Sequence, residues 1–122
     1  MSKKRILVAD DETEICSLIE HALTAEGYVV DCVYDGKSAL EKLKKETFDA
    51  VILDVMMPHV DGYHITYRIK TMAAGPVPKI IILSSRDKRV DENIGQKSGA
   101  DIQLMKPFEP SQLVQTVRQL LE

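Results

Sequence analysis

Short apolar runs alternate along the chain with longer segments in which apolar residues recur every three or four positions. A run that is apolar throughout is typical of a strand buried on both faces, and the longer period is typical of an amphipathic helix. The runs predict strands over residues 6–9, 28–33, 50–53, 80–83 and about 102–105. A helical segment follows each of these strands.

The predicted helices are bounded by residues that stop or start helices. The first ends at Gly27, and the third ends in "AAGPVP" at 73–78, where glycine and proline interrupt a helix. Pro110 fits the first position of the last helix, because proline has no N–H to leave unpaired there. The apolar stripes of the five helices include, in order, Ile15, Leu40, Ile65, Val90 and Leu113.

Five βα units predict a doubly wound α/β fold. Strands buried on both faces need helices on each side of a parallel sheet, joined by right-handed crossovers. The 122 residues suffice for one domain, over 1–122, that buries roughly two-thirds of its unfolded surface. We expect a single domain without a second unit.

Composition and charge argue against several classes of protein. A net charge of -3 offers no basic surface for nucleic acid, so direct binding of DNA or RNA is not expected. The N-terminal "MSKKRILVADD" is too short in its apolar part for a signal peptide or a membrane span. Cys16 and Cys32 form no disulfide framework and no metal-type spacing. We expect reduced thiols in a cytoplasmic protein.

Polar residues end four of the predicted strands. Asp10 and Asp11 follow the first strand, Asp54 the third, Ser84 the fourth and Lys106 the fifth. Each has a simple structural explanation, as a helix cap, a turn residue or a solvated charge. Ligands of open α/β sheets bind at the carboxyl ends of the strands. The occurrence of all these polar residues at one edge of the sheet therefore favours a functional site.

The chemistry of these groups favours phosphoryl transfer. Three clustered carboxylates need a cation between them, and an all-oxygen site with few protein ligands suits Mg²⁺. A carboxylate beside a metal ion, a hydroxyl and an ammonium can accept a phosphoryl group. The sequence contains no P-loop, so the donor is expected to be a small molecule or another protein.

Four segments resemble the receiver domains of two-component response regulators, a family that includes stand-alone chemotaxis regulators. These are "ILVADDE", "ILDVMMPHVDG", "IIILSS" and "LMKPF", in the order of the family. The resemblance covers nearly the whole chain. It implies a flavodoxin-like (βα)5 fold with a five-stranded parallel sheet in the order 2-1-3-4-5.

The resemblance implies a role for each residue at the strand ends. It makes Asp54 the phospho-acceptor and a metal ligand, and Asp11 a direct ligand of Mg²⁺, with Mn²⁺ as an alternative ion. Asp10 reaches the metal through water, and the backbone carbonyl of Met56 is the third protein ligand. Ser84 and Lys106 stabilise the phosphoryl group and take part in the switch.

Further positions are implied by the same comparison of motifs. The peptide bond that precedes Pro107 is commonly cis in the family. Met56 and Arg86 occupy positions that tune the loss of the phosphoryl group. Gln103 departs from the pattern, because relatives usually carry Tyr or Phe three residues before the lysine. At this position either a hydrogen-bonded amide replaces the aromatic ring of the relatives, or the conformational switch is weaker.

The implied function is a phosphorylation-activated signalling domain. A histidine kinase or histidine phosphotransfer protein donates the phosphoryl group to Asp54. The domain then regulates an output domain or protein through the face of the fourth helix, the fifth strand and the fifth helix. It assists its own phosphorylation and dephosphorylation and has no external substrate.

Three other functions remain as alternatives. An aspartate-nucleophile phosphohydrolase is expected to carry a DxD arrangement on its first strand, whereas "DD" here is adjacent. A flavodoxin-like cofactor binder is expected to have a Ser/Thr/Gly-rich loop after the first strand. A receiver that acts as a scaffold without phosphorylation is disfavoured by the complete set of site residues.

Overall fold

A computed structural model describes residues 3–54, 62–72, 76–84 and 101–122. Five parallel strands form one sheet in the order β2-β1-β3-β4-β5. The strands are β1 (Arg5–Ala9), β2 (Val29–Val33), β3 (Ala50–Asp54), β4 (Lys79–Ser84) and β5 (Ile102–Met105). The helices within the described ranges are α1 (Thr13–Thr24), α2 (Gly36–Lys45), α3 (Gly62–Met72) and α4 (Pro110–Leu121).

The predicted α/β architecture and strand order are confirmed. Strand bounds agree with the apolar runs to within one residue, and α4 is the fifth helix of the sequence prediction. The predicted helix that carries Val90 and Ile94 lies outside the described residues. None of the helices within the described ranges is long and apolar enough to cross a membrane.

Side chains of the central strands alternate between two cores, one on each face of the sheet. On β1, Ile6 and Val8 pack with residues of α1 and α4, whereas Leu7 and Ala9 pack with residues of α2 and α3. Both cores contain residues that are fully buried. Burial on both faces explains why these strands are apolar throughout in sequence.

Two helix boundaries follow from local chemistry. Gly27 adopts a φ of 95°, a left-handed conformation that ends the turn after α1 and that other residues rarely adopt. Asp35 caps α2, because its side chain accepts a hydrogen bond from the Ser38 N–H at 2.7 Å. This bond lowers the pKa of the Asp35 carboxyl.

A group of ion pairs connects the start of β1, the middle of β2 and the end of α2. Arg5 contacts Asp31 at 3.2 Å and Glu46 at 2.6 Å, and Lys42 contacts the same two carboxylates. The Arg5 guanidinium also lies 4.6 Å from the centre of the Phe48 ring. About a third of each charged side chain is exposed, so these pairs contribute little to stability.

The end of α4 is attached to the turn between α1 and β2. The Tyr28 hydroxyl donates a hydrogen bond of 2.6 Å to Glu122, and Arg118 pairs with Glu26. Tyr28 is itself nearly buried, at 7% exposed. The two contacts connect residues that are more than ninety positions apart in the chain.

Replacing Tyr28 with Phe is expected to lower the free energy of unfolding at neutral pH by about 1 kcal/mol, since one hydrogen bond is lost. Burial and Glu122 raise the pKa of the Tyr28 hydroxyl from 10.0 to about 12. Tyr28 therefore ionises at a lower pH in the unfolded chain than in the folded protein. The free energy of unfolding of wild type falls as the pH rises from the ordinary pKa of tyrosine to the raised one. The variant lacks this loss, so the difference between the proteins should shrink.

Urea unfolding of both proteins at neutral pH and in the alkaline interval measures this effect. Arg118→Met serves as the control, because it removes the neighbouring ion pair and keeps the tyrosine. A Tyr28→Phe difference that stays constant with pH contradicts the prediction.

Candidate functional site

The register of the sheet brings the predicted site residues to one edge. Ala9 pairs with Leu53, so Asp10 and Asp54 occupy the next positions of neighbouring strands. Asp54 pairs with Leu83, which precedes Ser84, and Ser84 pairs with Met105, which precedes Lys106. All four strands run in the same direction, and their carboxyl ends therefore meet there.

Three of these polar residues are withdrawn from water. Asp10 is fully buried, Asp54 is 2% exposed and Ser84 is 1% exposed. Asp11, in contrast, is exposed at the surface of the same edge. Buried ionised groups are costly unless they are paired, so Asp10 and Asp54 require a cation.

Lys106 supplies positive charge to this edge. Its Nζ lies 2.8 Å from Oδ2 of Asp10 and 3.3 Å from Oδ2 of Asp54. The Glu12 carboxylate approaches the same nitrogen at 3.6 Å. One ammonium group is thus shared among three carboxylates.

The acids keep the lysine protonated. Burial alone lowers the pKa of the Lys106 ammonium, but the contact with Asp10 and the charges of Asp54 and Asp10 outweigh this effect. The pKa of Lys106 consequently lies above its ordinary value. The Lys106 side chain therefore stays protonated at neutral pH.

The two carboxylate oxygens of Asp10 have different surroundings. Oδ1 accepts a hydrogen bond of 2.9 Å from the Glu12 N–H, a local turn contact at the start of α1. Oδ2 is buried, and within the described residues no hydrogen bond of regular geometry reaches it despite the nearby ammonium. Oδ1 thus serves a local turn and not a side-chain cap of α1, whose N-cap is Glu12, and Oδ2 faces the Lys106 ammonium.

The thiol of Cys16 also contacts Asp10. Its Sγ donates to the Asp10 backbone oxygen at 3.2 Å, which joins α1 to the end of β1. Burial raises the pKa of the Cys16 thiol to about 11, so it stays protonated and can donate. Cys16 and Cys32 are both free thiols, as expected from the sequence.

The donor groups fit a hard divalent cation. Asp10, Asp11 and Glu12 each offer a carboxylate oxygen, and these oxygens lie within 4.8 Å of one another. An all-oxygen set at this spacing, beside the buried Oδ2, suits Mg²⁺. Glu12 is not among the site residues predicted from the sequence, although it follows Asp10 and Asp11 in the segment "DDE" directly after a strand.

Ser84 is the last residue of β4 and pairs with Met105 of β5. Its Oγ accepts a hydrogen bond of 2.9 Å from the Gln103 side-chain amide. Its backbone oxygen accepts from the Lys106 N–H at 2.7 Å. The Lys106–Pro107 peptide bond is cis. The structure thus brings together Asp10, Asp54, Ser84, Gln103 and Lys106, while Met56 and Arg86 lie outside the described residues.

Comparisons with known proteins identify the family to which this fold belongs. A family model described as "response regulator receiver domain" matches residues 6–118. The regulatory protein VanRc of Enterococcus gallinarum is 38% identical over 118 residues, which are 97% of this chain and 49% of that protein. The chain thus spans about half the length of this curated relative.

Solved structures show the same similarity in three dimensions. The chemotaxis response regulator CheY4 of Vibrio cholerae superposes with a TM-score of 0.90 at 30% identity, covering 98% of this chain and 100% of that chain. The receiver domain of the Francisella response regulator 1452 gives a TM-score of 0.87 at 31% identity, covering 98% and 97%.

Receiver domains of this kind are generally non-enzymatic signalling domains that interact with kinases and output domains, and they typically use Mg²⁺ at an acidic pocket. The family match extends over nearly all of the sequence, and the fold and the acidic edge agree with it. The chain therefore belongs to the response regulator receiver domain family of two-component signalling proteins.

Proposed function

We propose that the 122 residues form a single receiver domain in which Asp54 accepts a phosphoryl group in a Mg²⁺-dependent reaction. The observation that carries this proposal is the ammonium of Lys106, which lies 3.3 Å from Asp54 and 2.8 Å from Asp10 at the sheet edge. A nucleophile in this position is held by a buried strand and has positive charge beside it. The donor is a histidine kinase or a histidine phosphotransfer protein.

The reaction transfers the phosphoryl group from nitrogen to oxygen. A carboxylate oxygen of Asp54 forms a bond to phosphorus while the phosphorus–nitrogen bond of the donor phosphohistidine breaks. The electron pair leaves with the imidazole nitrogen, which takes up a proton. Lys106 offsets the negative charge of the phosphoryl oxygens, and the Ser84 hydroxyl donates a hydrogen bond to one of them.

The metal-binding set consists of Asp10, Asp11, Asp54 and the backbone carbonyl of Met56, with Mn²⁺ as an alternative ion. Mg²⁺ supplies electrostatic stabilisation of the transferred group when it is bound. The short distances among the carboxylates of Asp10, Asp11 and Glu12 support a cation at this edge, and Glu12 is a further candidate ligand.

Phosphorylation biases a conformational equilibrium that a partner recognises. The recognised face contains β5 and α4 together with the predicted helix over Val90 and Ile94, and the partner is an output domain or a separate protein. Met56 and Arg86 tune the loss of the phosphoryl group. The two free thiols are compatible with action in the cytoplasm.

Incubation with acetyl phosphate and Mg²⁺ tests the phospho-acceptor. Wild type is expected to gain the mass of one phosphoryl group, and Asp54→Asn is expected to gain none. Asp35→Asn is the matched control, because asparagine also caps a helix and the α2 cap is not part of the site. An unchanged wild-type mass, an equal adduct in Asp54→Asn, or steady hydrolysis of small phosphomonoesters contradicts the proposal.

Mg²⁺ alone is expected to stabilise the folded protein. A ligand that binds only the folded state at a hundred times its Kd adds about 2.7 kcal/mol to the free energy of unfolding. Asp11→Asn should lose most of this gain, since an exposed carboxylate ligand is removed, whereas Asp35→Asn should keep it. Thermal unfolding with Mg²⁺ and with EDTA measures the gain. An Asp11→Asn gain equal to that of wild type contradicts the assignment.

A further inference from the structure

We propose that Gln103 is a positioning residue that orients the Ser84 hydroxyl towards the phosphoryl group on Asp54. This inference rests on the proposed function and assigns the orientation of one hydrogen-bond donor within it. It concerns the position at which the sequence departs from the family pattern. The Gln103 amide donates to Ser84 Oγ at 2.9 Å, and this bond carries the argument.

The register of β4 and β5 explains why a glutamine can make this contact. Gln103 pairs with Ile82, and Ser84 lies two residues further along β4 on the same side of the sheet. The glutamine side chain must therefore extend along the strand direction to reach Oγ. An asparagine would fall short by about one carbon–carbon bond, roughly 1.5 Å.

The bond from Gln103 determines where the Ser84 hydroxyl can donate its proton. A hydroxyl has one O–H donor and two acceptor lone pairs. Because the Gln103 N–H occupies one lone pair, the Ser84 proton is directed to another acceptor. Ser84 is 1% exposed, so bulk water competes little for that proton.

The candidate acceptor is the phosphoryl group of Asp54. Asp54 pairs with Leu83, the residue before Ser84, and Ser84 follows it at the same edge of the sheet. A phosphoryl oxygen carries negative charge, and a donor that is already oriented needs no rearrangement when the group arrives. Gln103 thereby acts on the reaction through Ser84 and touches none of the reacting atoms.

Gln103→Met is the principal test, because the methionine side chain has a similar length and carries no N–H donor. Its phosphorylation by acetyl phosphate at fixed Mg²⁺ is expected to be about tenfold slower than that of wild type, the effect of losing one oriented donor to a charged group. Gln115→Met, at an exposed site of α4, is the matched control and should react at the wild-type rate.

The Ser84→Ala background separates positioning from a general structural role. Gln103→Met should change the rate by less than about twofold in that background, since the group through which it acts is absent. Gln103→Glu should also be slow, because its carboxylate accepts the Ser84 proton. Urea unfolding of the unphosphorylated variants checks that each is folded under the assay conditions.

The outcomes distinguish the two proposals. A wild-type protein that gains no phosphoryl mass overturns the proposed function and this inference with it. A phosphorylated wild type with Gln103→Met at the same rate overturns this inference alone. A tenfold effect of Gln103→Met in the Ser84→Ala protein also overturns this inference alone. So does a wild-type rate of phosphorylation in Gln103→Glu, because it shows that the amide oxygen of Gln103 accepts from Ser84.

Discussion

Replacing Lys106 with methionine is expected to lower the free energy of unfolding by about 3–5 kcal/mol in the absence of divalent cations. The change removes the ammonium next to two carboxylates with almost no contact with solvent, since the side chains of Asp10 and Asp54 are 0% and 3% exposed. Their mutual repulsion then opposes folding without compensation. Urea denaturation in EDTA measures the loss.

Lys42→Met is the matched control for this variant. Lys42 also contacts two carboxylates, Asp31 and Glu46, but all three side chains are about one-third exposed. Water screens that contact, and little stability should be lost. Mg²⁺ should restore part of the stability of Lys106→Met, because it offsets the same negative charge. Equal losses in the two variants contradict the assignment of Lys106 as the charge that compensates the buried acids.

Replacing Ile52 with alanine is expected to lower the free energy of unfolding by about 2–5 kcal/mol. Ile52 is fully buried in β3, between Val8 of β1 and Ile81 of β4. Alanine leaves a cavity in the core beneath Asp54, which is two residues away on the same strand. Calorimetric or urea unfolding measures the loss.

Val29→Ala provides the comparison for the core variant. Val29 lies on the edge strand β2 and is 39% exposed, so its truncation creates no enclosed cavity. Phosphorylation of Ile52→Ala should fall only at temperatures at which the protein begins to unfold. A loss of the phosphoryl adduct in fully folded Ile52→Ala shows that the core also adjusts the position of Asp54.

The fold could be predicted because its strands are buried on both faces. Residues 6–9 and 80–83 are apolar throughout, and this feature distinguishes a parallel sheet from one that faces water. The predicted strand ends then located Asp10, Asp54, Ser84 and Lys106 at one edge without any knowledge of the coordinates. Periodicity and topology suffice for that step.

The contacts within the site could not be predicted in the same way. The hydrogen bond from Gln103 to Ser84 depends on the register between β4 and β5, which sequence patterns do not specify. The approach of Glu12 to Lys106 depends on a side-chain rotamer at the start of α1. Cys16 was predicted only to be a reduced thiol, and nothing in the sequence pattern indicates its contact with the Asp10 backbone.

The order of strands in the sheet has a consequence for how the protein folds. The acids come from β1 and β3, while the lysine follows β5, 52 positions after Asp54. A folding intermediate that has assembled only the first three strands would expose two acids before their counter-ion arrives. Such distant contacts form late and slowly. Pairing of Lys106 with the acids should therefore be among the last events of folding, and Mg²⁺ present during refolding should substitute for the missing charge in the incomplete sheet.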